Sequence, residues 1–183
     1  INTLALKHAD SKRKLVIIDA GCGEGYYTQQ LAQACIAAEQ SADITGIDIS
    51  KFAVKAAAGR NKNIQWFVAN SSHLPVEPNS NDLVLSLFSP LPEQEFKRVL
   101  KNDGLLIVAS TGQRHLIELR EKLYQTVSSE ALDPCQKLAA HFTKSHEQNI
   151  SYTLDLNSSE SITDLLSMTP HYWRATVEKK QQL

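Results

Sequence analysis

The order of apolar and polar residues predicts short buried strands that alternate with helices. Leu15–Ala20 is a continuous apolar run, rich in β-branched residues, that ends at a glycine-rich turn. Residues 42–48 form a second run that ends near Asp48. The same pattern predicts further strands within residues 63–70, 82–90, 105–110 and 150–156.

Helical segments are predicted between most of these strands. Ser50 belongs to the residue types that cap helix N-termini, so we expect a helix over residues 51–59. Pro92 is expected to open another helix, and Gly104 is expected to stop it. The remaining helices are predicted at residues 26–38, 113–129 and 158–168.

Strands and helices in this alternation predict a parallel sheet that is covered by helices on both faces. We therefore expect an α/β fold, doubly wound around a mostly parallel, Rossmann-like sheet. The length of 183 residues suits one domain over residues 1–183. Because the chain opens at Ile1 rather than Met, and nothing after Tyr172 resembles a closing strand, we expect a fragment of a longer chain that lacks the last strand of the sheet.

Composition narrows the classes of function. The longest apolar runs are far shorter than the roughly 20 residues of a membrane-spanning helix, so no membrane partner is predicted. A net formal charge of -1 supplies no bulk positive field toward nucleic acid, which leaves only local basic clusters for that purpose. The 3 cysteines and 6 histidines have no metal-ligand spacing, so no metal site is predicted, and the cysteine usage fits the reducing cytoplasm.

The turn "DAGCGEG" (residues 19–25), between the first strand and its helix, contains three glycines and two acids and is the main candidate for a ligand-binding site. Its glycines let a ligand approach the backbone, but their G-x-G-x-G spacing differs from the G-x-G-x-x-G of dinucleotide sites. The carboxylates of Asp19 and Glu24 would repel a pyrophosphate and suit a cationic ligand such as S-adenosylmethionine. Asp48, at the end of the second strand, could bind a ribose diol, which both NAD and S-adenosylmethionine carry.

Residues 15–110 resemble the class I S-adenosylmethionine-dependent methyltransferases, through this turn, Asp48 and the segment "RVLKNDGLLIVAS" (98–110). Two further segments, "STGQRHLIELREKLY" (110–124) and "LLSMTPHYWRA" (165–175), resemble the bacterial 23S rRNA guanine-N1 methyltransferases. This resemblance spans about residues 15–175. It implies methyl transfer to N1 of one guanine in a 23S rRNA hairpin. That family begins with a four-cysteine zinc module, which this sequence does not contain.

The resemblance also implies roles for individual residues. The turn would hold the methionine part of the cofactor, and Asp48 would hold the ribose. The loop at residues 69–72 would pass the adenine. The cofactor-binding candidates are Asp19, Gly21, Gly23, Gly25, Tyr26, Asp48, Ile49, Asn70 and Ser71. The lone pair of guanine N1 becomes available only as its proton leaves, and the candidate catalytic residues are Ser89, Arg114 and His115. The candidate platforms for an extruded base are Phe88, Tyr172 and Trp173.

Other functions stay open on the sequence alone. The segment "LPVEPNSNDLVLS" (74–86) also resembles methyltransferases of quinones and other small metabolites. The sequence is compatible as well with a non-catalytic S-adenosylmethionine-binding scaffold and with an NAD-linked oxidoreductase. The predicted partner is a 23S rRNA hairpin. The oligomeric state is undetermined, with a homodimer through an unpaired sheet edge as one option.

Overall fold

The computed structural model describes residues 1–7, 13–124 and 133–176. The chain divides into two compact units. The larger unit contains Ile1–Ser110 and Asp133–Lys144, and the smaller unit contains Thr111–Leu132 and Ser145–Leu183. A single domain over residues 1–183 stays a prediction.

A five-stranded parallel sheet forms the centre of the larger unit. Its strands, in chain order, are β1 (Leu15–Ala20), β2 (Ala42–Asp48), β3 (Gln65–Val68), β4 (Asn81–Leu87) and β5 (Leu100–Ala109). In space the order is β3-β2-β1-β4-β5. The chain therefore winds outward from β1 in one direction and then from β4 in the other, which confirms the doubly wound α/β fold.

Helices connect these strands and also build the smaller unit. Those of the larger unit are α1 (Asn2–Lys7), α2 (Tyr26–Ala37), α3 (Lys51–Arg60), α4 (Glu93–Val99) and α6 (Pro134–Leu138). Those of the smaller unit are α5 (Ile117–Leu123), α7 (Ser159–Ser167) and α8 (Pro170–Arg174). No helix in the described parts of the chain is long and apolar enough to span a membrane.

Hydrophobic clusters lie on both faces of the sheet. Consecutive residues of β1 point to opposite faces, so Ile17 packs with Leu31 of α2 while Ile18 packs with Phe96 of α4. All four side chains are essentially inaccessible to solvent. Burial on both faces explains why Leu15–Ile18 of β1 and Leu83–Leu85 of β4 are continuous apolar runs rather than alternating ones.

The prediction that Gly104 stops the helix after Pro92 is wrong. Helix α4 ends at Val99, and β5 begins at the next residue, Leu100, which is buried in the core. The Asn81 amide donates a hydrogen bond to the Val99 carbonyl, so a side chain of β4 satisfies one acceptor at the helix end. Gly104 lies inside β5, where the register with β4 is irregular.

The prediction of a strand over residues 150–156 is also wrong. This segment has no regular structure, and residues 150–155 are exposed. Its alternation of apolar and polar residues therefore has no buried face to fill. The long helix predicted over residues 113–129 is present as the shorter α5, and residues 125–129 lie outside the described part of the chain. The last predicted helix is confirmed as α7, with Ser158 as its N-cap.

Candidate cofactor site

The carboxyl ends of β1 and β4 lie side by side at the point where the strand order reverses. Ligands of open parallel sheets bind outside the carboxyl ends of the strands at such a switch point. The turn at residues 19–25 leaves β1 here, and Asp48 ends the neighbouring β2. The structure thus brings the turn and the second acid to the same edge of the sheet.

Three glycines give the turn its path. Gly21, Gly23 and Gly25 have φ angles of 89°, 55° and 76°, in the left-handed region that other residues rarely adopt. The backbone N–H groups of Gly21 and Cys22 both donate to the carbonyl of Ile47, at 2.8 and 3.0 Å. The turn is therefore fixed to the end of β2 as well as to β1.

Asp48 also holds the turn. Its Oδ2 accepts a hydrogen bond from the N–H of Gly23 at 2.9 Å, and its Oδ1 accepts one from the N–H of Ser50 at 2.8 Å. A carboxylate has about four acceptor sites, so these two bonds leave capacity for hydroxyl donors. The arrangement is compatible with the predicted ribose contact, which stays a prediction.

Asp19 is a buried carboxylate with unused acceptor capacity. Only 1% of the residue is exposed, and its Oδ2 accepts a bond from the Thr28 hydroxyl at 2.6 Å. Its Oδ1 has no hydrogen-bond partner among the residues that the structure describes. Burial raises the pKa of Asp19 to about 6, the Thr28 bond opposes that rise, and the charge of Asp48 adds to it. A cationic ligand group would satisfy both the unpaired oxygen and the uncompensated charge.

Glu24 does not contribute to this negative site in the way that its place in the turn predicts. Its carboxylate is exposed and accepts a hydrogen bond from the Arg60 guanidinium of α3 at 2.8 Å. An arginine therefore offsets its charge. The case for a cationic ligand consequently depends on Asp19 and Asp48.

A tryptophan braces the turn from the side of β3. The ring of Trp66 packs so closely on Gly25 and Gly46 that a Cβ at either glycine would overlap it. The Trp66 indole N–H donates to the carbonyl of Asn61 at 2.8 Å, which fixes the ring. This contact is not predictable from the order of residues in either strand. Its one sequence signal was a glycine inside a strand, which often marks the close approach of another group.

Ser89 joins the ends of β4 and β1. Its hydroxyl donates to the carbonyl of Ala20 at 2.8 Å and lies 2.9 Å from the Ser86 hydroxyl. A Cβ at Gly21 would overlap Ser89, so the turn passes directly against this side chain. The predicted catalytic role of Ser89 stays a prediction, and its observed contacts are those of a residue that fixes the strand ends.

Comparison with known proteins agrees with this geometry. The sequence profile of a methyltransferase domain matches residues 11–167. The chain belongs to this methyltransferase family. Its cofactor is S-adenosylmethionine, and the unpaired buried carboxylate and the glycine cradle both fit that group.

Individual relatives narrow the comparison. A Bacillus subtilis protein, YxjB, provisionally named as a 23S rRNA guanine-N1 methyltransferase, is 36% identical over 89% of this chain and 58% of its own length. The 23S rRNA (guanine(748)-N(1))-methyltransferase of Streptomyces fradiae is 26% identical over 86% of this chain and 55% of its own. The chain thus spans little more than half of these relatives. Shorter matches, over 56% of this chain, include C-methyltransferases of quinone biosynthesis.

Solved structures support the fold. The YcgJ protein of Bacillus subtilis superposes with a TM-score of 0.63 over 99% of this chain and 80% of its own, at 18% identity. At that identity the likeness concerns the fold alone. It matches the parallel, doubly wound sheet described above.

The segment that follows the predicted adenine loop (residues 69–72) is tied to α4. Glu95 accepts a bond from the N–H of Leu74 at 2.6 Å, and Arg98 donates to the carbonyls of Leu74 and Val76 at 3.0 and 2.9 Å. The hydrogen bonds from Arg98 hold the pKa of Glu95 below its usual value. The sequence does not predict this anchor, because an acid and a base spaced i,i+3 on a helix ordinarily indicate only a surface pair.

Four of the predicted cofactor residues lie at the outer edge of the site. Asn70 accepts a bond from the N–H of Ser72 at 2.9 Å, which shapes the turn that also contains Ser71. Tyr26 and Ile49 are largely exposed beside the glycine turn and Asp48 respectively. Their contacts with the cofactor stay predictions.

Arg114 and His115 belong to the smaller unit. The Arg120 guanidinium donates to the His115 carbonyl at 3.4 Å and to the Gln113 carbonyl at 2.8 Å, so it organises the segment before α5. Partial burial, and then the charge of Arg120, lowers the pKa of His115 below its ordinary value. A neutral imidazole can accept a proton, but the catalytic roles of both residues stay predictions.

The segment "MTPHYWRA" forms a capped helix in the same unit. The Thr169 hydroxyl accepts a bond from the N–H of His171 at 3.2 Å, and Pro170 occupies the first turn of α8. The Tyr124 hydroxyl lies 3.1 Å from Nδ1 of His171, which connects α5 to α8. Trp173 is exposed, which is compatible with its predicted use as a platform.

Proposed function

We propose that the complete protein transfers a methyl group from S-adenosylmethionine to N1 of a guanine in 23S rRNA. The observation that carries this proposal is the match to relatives named for that reaction over 86–89% of the chain. Matches to quinone-type enzymes cover only 56% of it. A match over 86–89% of the chain extends into the smaller unit, so the likeness to these relatives goes beyond the cofactor-binding sheet.

Cofactor binding would use the acids at the ends of β1 and β2. Asp19 would face the ammonium group of the methionine part, because it is the buried carboxylate with an oxygen left unpaired. Asp48 would accept hydrogen bonds from the ribose while it continues to hold Gly23. Asn70 and Ser71, in the loop at residues 69–72, would lie beside the adenine, and Glu95 and Arg98 hold the segment directly after this loop.

When bound, S-adenosylmethionine supplies an electrophilic methyl group on a positively charged sulfur. The protein must then orient guanine and manage the proton of N1, whose lone pair becomes available as that proton leaves. His115, neutral at pH 7, would accept the proton, and Arg114 would stabilise negative charge developing on O6. Ser89 would act mainly by fixing the strand ends beside Gly21.

Recognition of RNA by this chain cannot use a strong overall field. The net formal charge is -1, so affinity for RNA must come from local basic groups that contact phosphates and from stacking of unpaired bases on aromatic side chains. A single-stranded loop or an extruded base therefore suits recognition by this chain better than a continuous duplex does.

A panel of acceptors tests the substrate class. The complete protein would be incubated with methyl-labelled S-adenosylmethionine and either 23S rRNA from a strain that lacks the gene or a small-metabolite extract of that strain. We expect label in the rRNA only. Label in the extract alone would replace the proposal with a small-molecule methyltransferase, and tight cofactor binding without any transfer would indicate a scaffold. Asp19→Asn serves as the control with an impaired site.

A further inference from the structure

Three exposed aromatic side chains, Tyr26, Tyr27 and Phe88, form a cluster that we name the aromatic rim. Their exposed fractions are 60%, 42% and 60%. The rings of Tyr26 and Tyr27 meet edge to face with centroids 5.2 Å apart, and the rings of Tyr27 and Phe88 lie 6.5 Å apart at 43°. Contiguous exposed apolar groups often mark a binding site for a ligand or partner.

The rim crosses the switch point of the sheet. Tyr27 lies in the first turn of α2, directly after the glycine turn, whereas Phe88 directly follows β4. The β1–β4 boundary therefore lies between the two residues in the topology. Phe88 is also next to Ser89, the residue against which Gly21 packs.

The backbone of Phe88 is in an unfavourable conformation. Its φ angle of 55° lies in the left-handed region, which is costly for a residue with a bulky side chain. Its N–H nevertheless donates to the carbonyl of Ala109 at 2.8 Å, so the conformation is held by pairing with β5. A strained residue whose ring remains mostly in solvent gains little from burial, and this combination points to a role in binding.

Strand order separates the rim from the nucleoside end of the cofactor site. Asp48 and the loop with Asn70 follow β2 and β3, on one side of β1. Phe88 follows β4, on the other side. A ligand on the rim therefore occupies the side of the crevice that the ribose and adenine contacts leave open.

We propose that Tyr27 and Phe88 form a stacking platform for the unpaired purine base of the RNA acceptor. The proposal rests on the proposed function and adds the residues that select a flat ring. A purine presents the planar π-face that such rings bind, and stacking of this kind contributes roughly 1–3 kcal/mol per base. Tyr26 supports the edge of Tyr27 and keeps its predicted contact with the cofactor.

Kinetics on rRNA test the platform in the complete protein. Phe88→Leu and Tyr27→Leu remove the π-face and keep an apolar side chain, while Phe88→Tyr and Tyr27→Phe restore a ring. We expect each leucine variant to lower kcat/KM for 23S rRNA by about tenfold or more, and each aromatic variant to stay within about threefold of wild type. The dissociation constant for S-adenosylhomocysteine, measured by calorimetry, should stay within about twofold.

Phe52→Leu provides the matched control, because Phe52 is a 75% exposed aromatic residue on α3 outside the rim. This substitution should leave kcat/KM for 23S rRNA and the dissociation constant for S-adenosylhomocysteine unchanged. Unchanged kcat/KM in both leucine variants would overturn the platform. An equal loss of S-adenosylhomocysteine affinity would also overturn it, because the rings would then belong to the cofactor site. If Tyr27→Leu melts early, Phe88→Leu decides alone, since its ring is largely exposed.

A binding measurement separates failure of the platform from failure of the proposed function. The probe is a short single-stranded RNA with one 2-aminopurine, whose emission falls when the base stacks on an aromatic ring. Wild type saturated with S-adenosylhomocysteine should quench it, and the leucine variants should not. If quenching depends on the rings while rRNA receives no methyl group, the function fails and the platform stands. If rRNA is methylated and quenching is absent or independent of the rings, the platform fails and the function stands.

Discussion

The Asp48 carboxylate accepts a hydrogen bond from the backbone N–H of Gly23 at 2.9 Å, so the acid at the end of β2 fixes the turn that follows β1. A second bond, from the N–H of Ser50, occupies the other carboxylate oxygen. The acid predicted to bind the ribose is therefore also part of the framework that shapes the cofactor turn. Substitution there should disturb folding and binding together.

Asp48→Ala should reduce both stability and cofactor affinity. The N–H groups of Gly23 and Ser50 would lose their acceptor, which costs about 1–3 kcal/mol in the free energy of unfolding. Affinity for S-adenosylmethionine should fall by about tenfold or more, because the ribose would lose its acceptor as well. Urea denaturation and calorimetry measure the two effects. Full affinity in a folded variant would mean that the ribose lies elsewhere.

Cofactor binding should weaken in mild acid because Asp19 becomes protonated. Its pKa is raised to about 6, so the carboxylate is charged at pH 7 and largely neutral at pH 5. Affinity for S-adenosylmethionine should therefore fall by up to about tenfold per pH unit below pH 6 and level off above about pH 7. Calorimetry over this range checks the profile, and Asp19→Asn should flatten it. A wild-type profile as flat as that of the variant would contradict the assignment.

Stability of the free protein should respond to Asp19 in the opposite direction. The folded pKa of about 6 exceeds the ordinary value of 3.8, so the folded state binds more protons than the unfolded state between those values. The contribution of Asp19 to the free energy of unfolding therefore falls as pH rises through this window. Asp19→Asn should abolish this fall, because the amide does not titrate. The difference in unfolding free energy between variant and wild type should grow from about pH 4 to pH 6. A constant difference would show that Asp19 has an ordinary pKa.

Gly46→Ala should destabilise the domain through Trp66. A Cβ at Gly46 overlaps the indole ring, so we expect a loss of about 1–3 kcal/mol in the free energy of unfolding. Adding Trp66→Leu should recover part of that loss, which a double-mutant cycle measures. Gly59→Ala is the control, because a Cβ there meets nothing within 4 Å. Equal effects of the two alanine substitutions would mean that the ring does not press on β2.

Phe88→Gly should separate stability from activity. Glycine adopts the left-handed conformation without the side-chain penalty, and the ring it replaces is 60% exposed. Thermal unfolding should therefore shift by little or slightly upward, while methyl transfer to rRNA falls. A marked drop in melting temperature would instead assign the ring a packing role.

The sequence predicted those features that depend on local chemistry. The bounds of β1, the cap at Ser50 and the turn at residues 19–25 follow from apolar runs, a capping side chain and glycine spacing, and the structure confirms them. Contacts between distant segments do not follow from local sequence patterns. The Glu24–Arg60 pair and the packing of Trp66 on Gly46 depend on how strands and helices are brought together.

The two wrong predictions, the end of α4 and the strand at residues 150–156, also depend on contacts between distant segments. Helix α4 ends at Val99, well before Gly104, and the Val99 carbonyl accepts hydrogen bonds from the Ser80 N–H and the Asn81 amide instead of from a further helical turn. Residues 150–156 have the alternation of a strand but are mostly exposed. Local pattern predicts an element, and tertiary contacts decide whether and where it forms.

Reverse transcription of 23S rRNA reports methylation at guanine N1 itself. RNA from a strain without the gene is incubated with the complete protein and S-adenosylmethionine, and primer extension is read before and after. A methyl group at N1 blocks Watson–Crick pairing, so the proposed function predicts a new stop at one guanine that requires both protein and cofactor and is lost with Asp19→Asn. Methyl incorporation into the rRNA without any new stop would contradict it, because a methyl group at guanine N1 prevents Watson–Crick pairing and therefore must stop the extension.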